Sequence, residues 1–188
     1  MNKPDPPLAA LWATSLCAVA VLLASTREPS AGQTPALTTT AEPLSGATLQ
    51  ELAVLYKQLI DAENRHDLQA VRPLVWTSAS TLFVAKTKTA EQGNWAGFWG
   101  TDVVMQHLSE LYQAGPFRID PEYSKVKVVG LTRDVAELYA PVKITVAYGG
   151  QTAVPKPFLM ILVWIRTPDG WKMATDVALP IPPAPRQQ

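Results

Sequence analysis

Three observations predict an α+β chain with helices packed on one face of a bent antiparallel sheet. Helical periodicity is confined to the first half, long alternating strands fill the second, and strong turn signals separate those strands. Residues 48–66 place Leu49, Leu52, Tyr56, Leu59 and Ile60 at helical spacing, which predicts an amphipathic first helix. Asp67 is the cap of a short second helix running to Leu74, with Pro73 near its end. Residues 80–85, STLFVA, are β-prone. In the following GNWAGFWG, glycines and aromatics alternate, and Gly93, Gly97 and Gly100 suggest an irregular loop or lid near a pocket opening. A third helix over 101–112 is stopped by Gly115-Pro116. Residues 117–119 then connect to strands expected at 123–129, 135–148, 156–167 and 171–178. Gly149-Gly150 and Pro168-Asp169-Gly170 turn the chain between the later strands.

Alternation within the strands sets out the layers. Ala136, Leu138, Ala140, Val142, Ile144 and Val146 share one apolar face, opposite Glu137, Tyr139, Lys143 and Thr145. Pro141, in the middle of that strand, implies a bulge or an edge. The strand at 156–167 is apolar on both faces: Phe158, Met160, Leu162 and Trp164 on one, Leu159, Ile161, Val163 and Ile165 on the other. Two covers are required, so helices cover one face and the sheet of a second copy, in a homodimer, is expected on the other, with a local loop or tail as the alternative.

The ends belong to a different regime. Residues 8–24 form an uncharged apolar run behind Lys3, so 1–32 reads as a signal peptide or an N-terminal anchor, with Ser30-Ala31-Gly32 offering small residues for cleavage before Gln33. A periplasmic or secreted protein is expected, touching membrane only if this segment is retained. Cys17, the only cysteine, lies inside the run, which leaves the domain without disulfides, thiol nucleophiles or thiolate metal sites. Residues 33–46 read as a flexible linker, 47–179 as the folded domain and 180–188 as a Pro-rich tail. The 16 basic and 16 acidic residues cancel, a poor charge balance for nucleic acid.

The helix ending in Asn64-Arg65-His66-Asp67-Leu68 and the hairpin Trp164-Ile165-Arg166-Thr167-Pro168-Asp169-Gly170-Trp171-Lys172-Met173 together resemble the nuclear-transport-factor-2-like (NTF2-like) superfamily. Within it the chain looks most like the SnoaL-like proteins and their uncharacterised relatives, with His66 where that family often has glycine. The resemblance implies a cystatin-like cone: three helices on a curved antiparallel sheet, with any ligand held between them. The superfamily includes isomerases, cyclases, epoxide hydrolases and non-enzymes, so the resemblance bears on fold rather than on reaction. The acid–base positions of its ketosteroid isomerase branch, transferred without gaps, fall on Leu59 and Phe83, neither of which moves a proton.

Polar residues on apolar faces mark candidate chemistry in such a cone. Glu63 shares the core stripe of the first helix with Leu52, Tyr56 and Ile60, and His107 lies on the apolar side of the third helix; together they suggest an acid/base pair. Either can equally be structural, Glu63 reaching solvent and His107 hydrogen-bonded in the core. Asp176 either faces the cavity mouth or stands in solvent with Lys172, since both share the even side of the last strand. Tyr56, Trp76, Phe83, Trp95, Phe98, Trp99, Met160 and Trp164 are candidates to line an apolar pocket. His66 and His107 lack a spaced carboxylate motif, so neither metal nor cofactor is expected. The function expected is binding of a small hydrophobic molecule, with acid/base catalysis of isomerase, cyclase or hydrolase type. The rival is a non-catalytic protein-association module. A pocket of roughly a few hundred Å³ favours the first and a filled cone the second.

Overall fold

The computed structural model describes residues 44–88, 95–150 and 152–182. Residues 1–32, expected to be a signal peptide or anchor, lie outside them, as do most of the expected linker, Cys17, Gly93 and the end of the expected Pro-rich tail. Helix α1 (Gly46–Asn64) starts where Ser45 Oγ accepts from the Thr48 N–H, and it buries Leu52, Tyr56, Leu59, Ile60 and Glu63. The chain then turns through His66 at φ 56°, a left-handed conformation that glycine adopts freely. His66 offsets the strain with contacts: its ring stacks on Tyr112 at 4.6 Å, and its Nε2 lies 3.2 Å from the Phe117 carbonyl. Asp67 caps α2 (Leu68–Val71) through the Ala70 N–H, and the helix tightens into a 3₁₀ turn over Arg72–Leu74 containing Pro73.

There follow β1 (Leu82–Lys86), β2 (Trp95–Trp99), α3 (Thr101–Gln113), β3 (Phe117–Pro121), β4 (Lys127–Thr132), β5 (Val135–Val146), β6 (Lys156–Thr167) and β7 (Gly170–Pro180). The strands form one sheet in the order β2-β1-β7-β6-β5-β3, with β4 also on β5. The three helices pack on this curved sheet, as expected. The sheet is mixed rather than wholly antiparallel, because β1 runs parallel to β7, with Phe83 opposite Asp176.

Three local expectations change. The GNWAGFWG segment is no loop where it is described: residues 95–99 are β2, paired in register with β1. Its central glycine is there for space, since a Cβ on Gly97 would stand 3.1 Å from both Leu82 Cδ1 and Trp99 Nε1. Residues 117–119 are no connector but part of edge strand β3, held by the Asn64 amide. That side chain donates to the Ile119 carbonyl at 2.8 Å and accepts from its N–H at 2.7 Å, taking the place of a neighbouring strand. Residues 123–125 form a 3₁₀ turn, so the next strand begins at Lys127.

Pro141 sits where the neighbour of β5 changes. β4 pairs with Val135 to Tyr139 and β3 with Val142 to Val146, so the missing N–H falls in the gap between the two ladders. On the inner face Ala136, Leu138, Ala140, Phe158, Met160, Leu162 and Trp164 pack against Leu52, Tyr56 and Leu59 in one core.

Candidate functional site

The decisive local feature is a bulge in β7. Val163 stands opposite Thr175 and Trp164 opposite Met173, so Ala174 has no partner. Before the bulge Trp171 and Met173 point inward; after it Ala174, Asp176 and Ala178 do. Lys172 and Asp176 therefore part company despite their even spacing. Lys172 donates to the Pro73 carbonyl at 2.7 Å on the outside, while Asp176 is buried at 2% exposure.

Asp176 faces a cavity of about 50 Å³, room for roughly three or four water molecules. Glu63 of α1, 3% exposed, lines the same cavity. The rest of the lining is almost wholly apolar: Phe83 and Ala85 of β1, Trp95 of β2, Leu111 of α3, Phe117 and Ile119 of β3, Ile144 and Val146 of β5, Tyr148 just beyond β5, Phe158 and Met160 of β6, and Ala178 of β7. Lys86 also borders it, three residues along β1 from the Phe83 that neighbours Asp176, a separation of about 10 Å at the rise of a strand.

Among the described residues, every salt bridge lies at the surface and none involves Glu63 or Asp176. Asp176 Oδ1 has no hydrogen-bond partner. Burial pushes the Asp176 carboxyl up to about 7, and burial together with the neighbouring Asp176 holds the Glu63 carboxyl well above the usual carboxylate range. Glu63 thus holds its proton to higher pH than an ordinary carboxyl, and Asp176 is close to its midpoint near neutral pH. One group can then donate a proton and the other accept one.

The sequence candidates separate accordingly. The structure brings Glu63 together with Asp176 and not with His107. The His107 ring stacks on Phe98 with centroids 3.7 Å apart and meets Tyr148 edge-on at 5.3 Å, in the layer behind the cavity wall. It is buried, it does not line the cavity, and burial lowers it to about 4, so it is neutral. Phe83, Trp95 and Met160 line the cavity, but Tyr56, Trp76, Phe98, Trp99 and Trp164 do not. Tyr56 and Trp164 are fully buried core, Trp76 borders a groove with Arg72 and Lys172, and Trp99 is 59% exposed. Sequence reasoning missed Phe117, Ile119, Ile144, Val146, Tyr148 and Phe158 as lining; an inward alternation that includes β3 picks out most of them. Among the described residues no group of three His, Cys, Asp or Glu side chains is placed to hold a metal ion.

No family model matches the sequence, and no curated protein matches it. Solved structures do. An NTF2-like family protein from Streptomyces avermitilis, provisionally described as a dehydratase, superposes with a TM-score of 0.58 at 21% identity, over 73% of this chain and 98% of its own. An NTF2-like superfamily protein from Salmonella enterica gives 0.58 at 13% identity, over 77% and 99%. The fold is NTF2-like. A protein of unknown function with a cystatin-like fold, from Nostoc punctiforme, gives 0.55 at 10% identity, over 77% and 98%, which fits the same NTF2-like cone. At these identities the likeness speaks for architecture alone.

Proposed function

We propose that this domain binds a small, mainly apolar molecule in its cavity and moves a proton on it, with Glu63 as acid and Asp176 as base. One observation carries the reading: two carboxyl groups, 3% and 2% exposed, face one apolar cavity with no cation paired to either among the described residues. Burying two carboxyls costs stability, and structural carboxyls recover that cost through ion pairs. A pair left unpaired and facing a cavity suits proton transfer, because the shared burial keeps one proton in place. Isomerisation or elimination of water fits an acid and a base facing one cavity; the provisional dehydratase label of the Streptomyces neighbour is in keeping with this. At about 50 Å³ the cavity falls well short of the roughly few hundred Å³ expected of a ligand-binding cone, so it takes only the reacting end of a ligand, a few heavy atoms, and a larger ligand inserts only in part.

The same reading places the protein outside the cytoplasm, on the strength of the apolar run behind Lys3. It also pairs two copies through the outer face of the sheet. Leu159, Ile161, Val163 and Ile165 of β6 lie there half-buried, flanked by Tyr139 at 40% and Leu179 at 42% exposure. A second copy is the suitable cover, since a chain of zero net charge meets no long-range repulsion from its own kind.

Native mass spectrometry of the full-length protein, with identification of any small molecule released on denaturation, tests the binding. Turnover of that molecule or its relatives is expected to fall at least about 100-fold in Glu63→Gln and in Asp176→Asn. A protein that carries nothing and binds nothing, or variants as active as the parent, overturns the reading.

A further inference from the structure

The cavity beside Glu63 and Asp176 shares one wall residue with the protein surface. Tyr148 lines the cavity on one side, and on the other it lines a surface groove of about 310 Å³ with Lys88, Glu110, Gln113, Ala114 and Gly149. No other described residue lines both. The backbone of Tyr148, a residue only 3% exposed, lies past the end of the sheet. The ladder of β5 with β3 stops at Val146, and the Ala147 N–H makes one more bond, to the Pro116 carbonyl at 3.2 Å. After Tyr148 come Gly149 and Gly150 at φ 59° and 71°, where a chain without Cβ atoms turns and swings at low steric cost. Helix α3 holds the side chain: the ring meets His107 edge-on with centroids 5.3 Å apart, and the hydroxyl donates to Glu110 Oε2 at 2.9 Å. Glu110 Oε1 accepts from Gln106 at 3.3 Å, which steadies the acceptor. Burial, then the bond to Glu110, push the Tyr148 hydroxyl up to about 12, so it remains a donor at neutral pH.

We propose that the groove is the way into the cavity and that Tyr148 is its door, latched by the hydrogen bond to Glu110. The proposal rests on the function proposed above and deepens it, since the molecule admitted is the one that meets Glu63 and Asp176. Size calls for such a passage. The cavity takes only a few heavy atoms, whereas the groove has the room of an ordinary ligand site, roughly a few hundred Å³. A longer ligand places its small apolar end inside, past the displaced ring, and leaves its remainder in the groove. There it meets an ammonium, a carboxylate and a carboxamide, from Lys88, Glu110 and Gln113. The ligand class is therefore an amphiphile whose outer part is polar and carries both donors and acceptors. The Glu110 oxygen that the phenol leaves is open to a donor of that outer part, which offsets the lost bond.

The test uses hydrogen peroxide, a molecule small enough for the cavity, and reads methionine sulfoxide by peptide mass spectrometry in the full-length protein. Met160 lines the cavity at 1% exposure; Met173, at 2%, is core that does not line it, so it reports any general loosening. Tyr148→Phe keeps the ring and removes the latch, and is expected to raise the oxidation rate of Met160 about tenfold relative to Met173. Glu110→Ala, which removes the latch from the other side, is expected to act alike. Ala114→Trp fills the groove from an exposed position and is expected to slow Met160 several-fold. Unchanged Met160 rates in Tyr148→Phe and Glu110→Ala, as entry past the half-buried Lys86 and Trp95 would give, overturn the proposal. Equal acceleration of Met160 and Met173 overturns it too, being a loss of packing, and so does an Ala114→Trp protein that oxidises as fast as the parent. The readout needs neither ligand nor turnover, so it is separate from the proposed function, which fails instead if Asp176→Asn leaves binding and turnover intact.

Discussion

Asp176 binds its proton more tightly in the folded chain than in the unfolded one, its carboxyl being raised from 3.8 to about 7. The sign follows from linkage: this contribution to stability is fully present below about pH 4 and is lost as pH rises to about 7. Glu63, raised by the same burial, acts in the same direction. His107 acts in the other. Lowered from 6.5 to about 4, it favours the fold above pH 6.5, and that contribution is lost as pH falls towards 4. Asp176→Asn should therefore show a shallower fall in stability between pH 4 and 7 and be the more stable protein at pH 8, measured by urea unfolding. An unaltered slope would mean that Asp176 is not held protonated by burial. Such a gain on removing a candidate base is the usual sign of a group kept for activity at the expense of stability. At this scale Glu63 was legible because helical periodicity alone puts it on the core stripe. Asp176 stayed ambiguous, because a strict two-residue period assigns it to the side of Lys172 and nothing in the local sequence announces an unpaired Ala174.

Among the elements, the hairpin of β6 and β7 was readable from Asp169-Gly170 and its long alternating flanks, and the caps at Ser45 and Asp67 act at the helix starts. β2 and β3 were not readable, for different reasons. A five-residue strand broken by glycine has too weak a pattern, and β3 is specified by a partner remote in sequence, the side chain of Asn64. Gly130 shows how the start of the domain is seated. A Cβ there would lie 2.6 Å from Leu44 Cγ and 3.0 Å from its Cβ, so β4 makes room for the residue that leads into α1. Gly130→Ala is expected to cost about 1–3 kcal/mol by overpacking. Adding Leu44→Ala should remove much of that cost in a double-mutant cycle, and strict additivity would show that the two residues do not touch in solution.

For the whole molecule, the layers were evident from composition and order of elements, and the apolar outer face of β6 from the absence of alternation in its sequence. The size of the cavity was not, because volume depends on how side chains from six strands and two helices interlock. The outer face yields a test. Ile161→Lys places a charge midway along β6, opposite Tyr139 and Val177, and the paired sheets proposed above should then separate into monomers by sedimentation. A variant that still sediments as a dimer would move the interface elsewhere.

The parallel pairing of β1 with β7 has a consequence in time. Phe83 and Ala85 come from an early strand, Asp176 and Ala178 from the last one, and the wall of the cavity is the seam between them. That seam joins remote parts of the chain, and such contacts form slowly because the loop must close first. A nascent chain lacking its final strand thus has the first helices, but neither the seam nor the two carboxyls facing one cavity. The site comes into being only when the last strand docks, so truncation anywhere before β7 leaves a chain with no site at all rather than a weakened one.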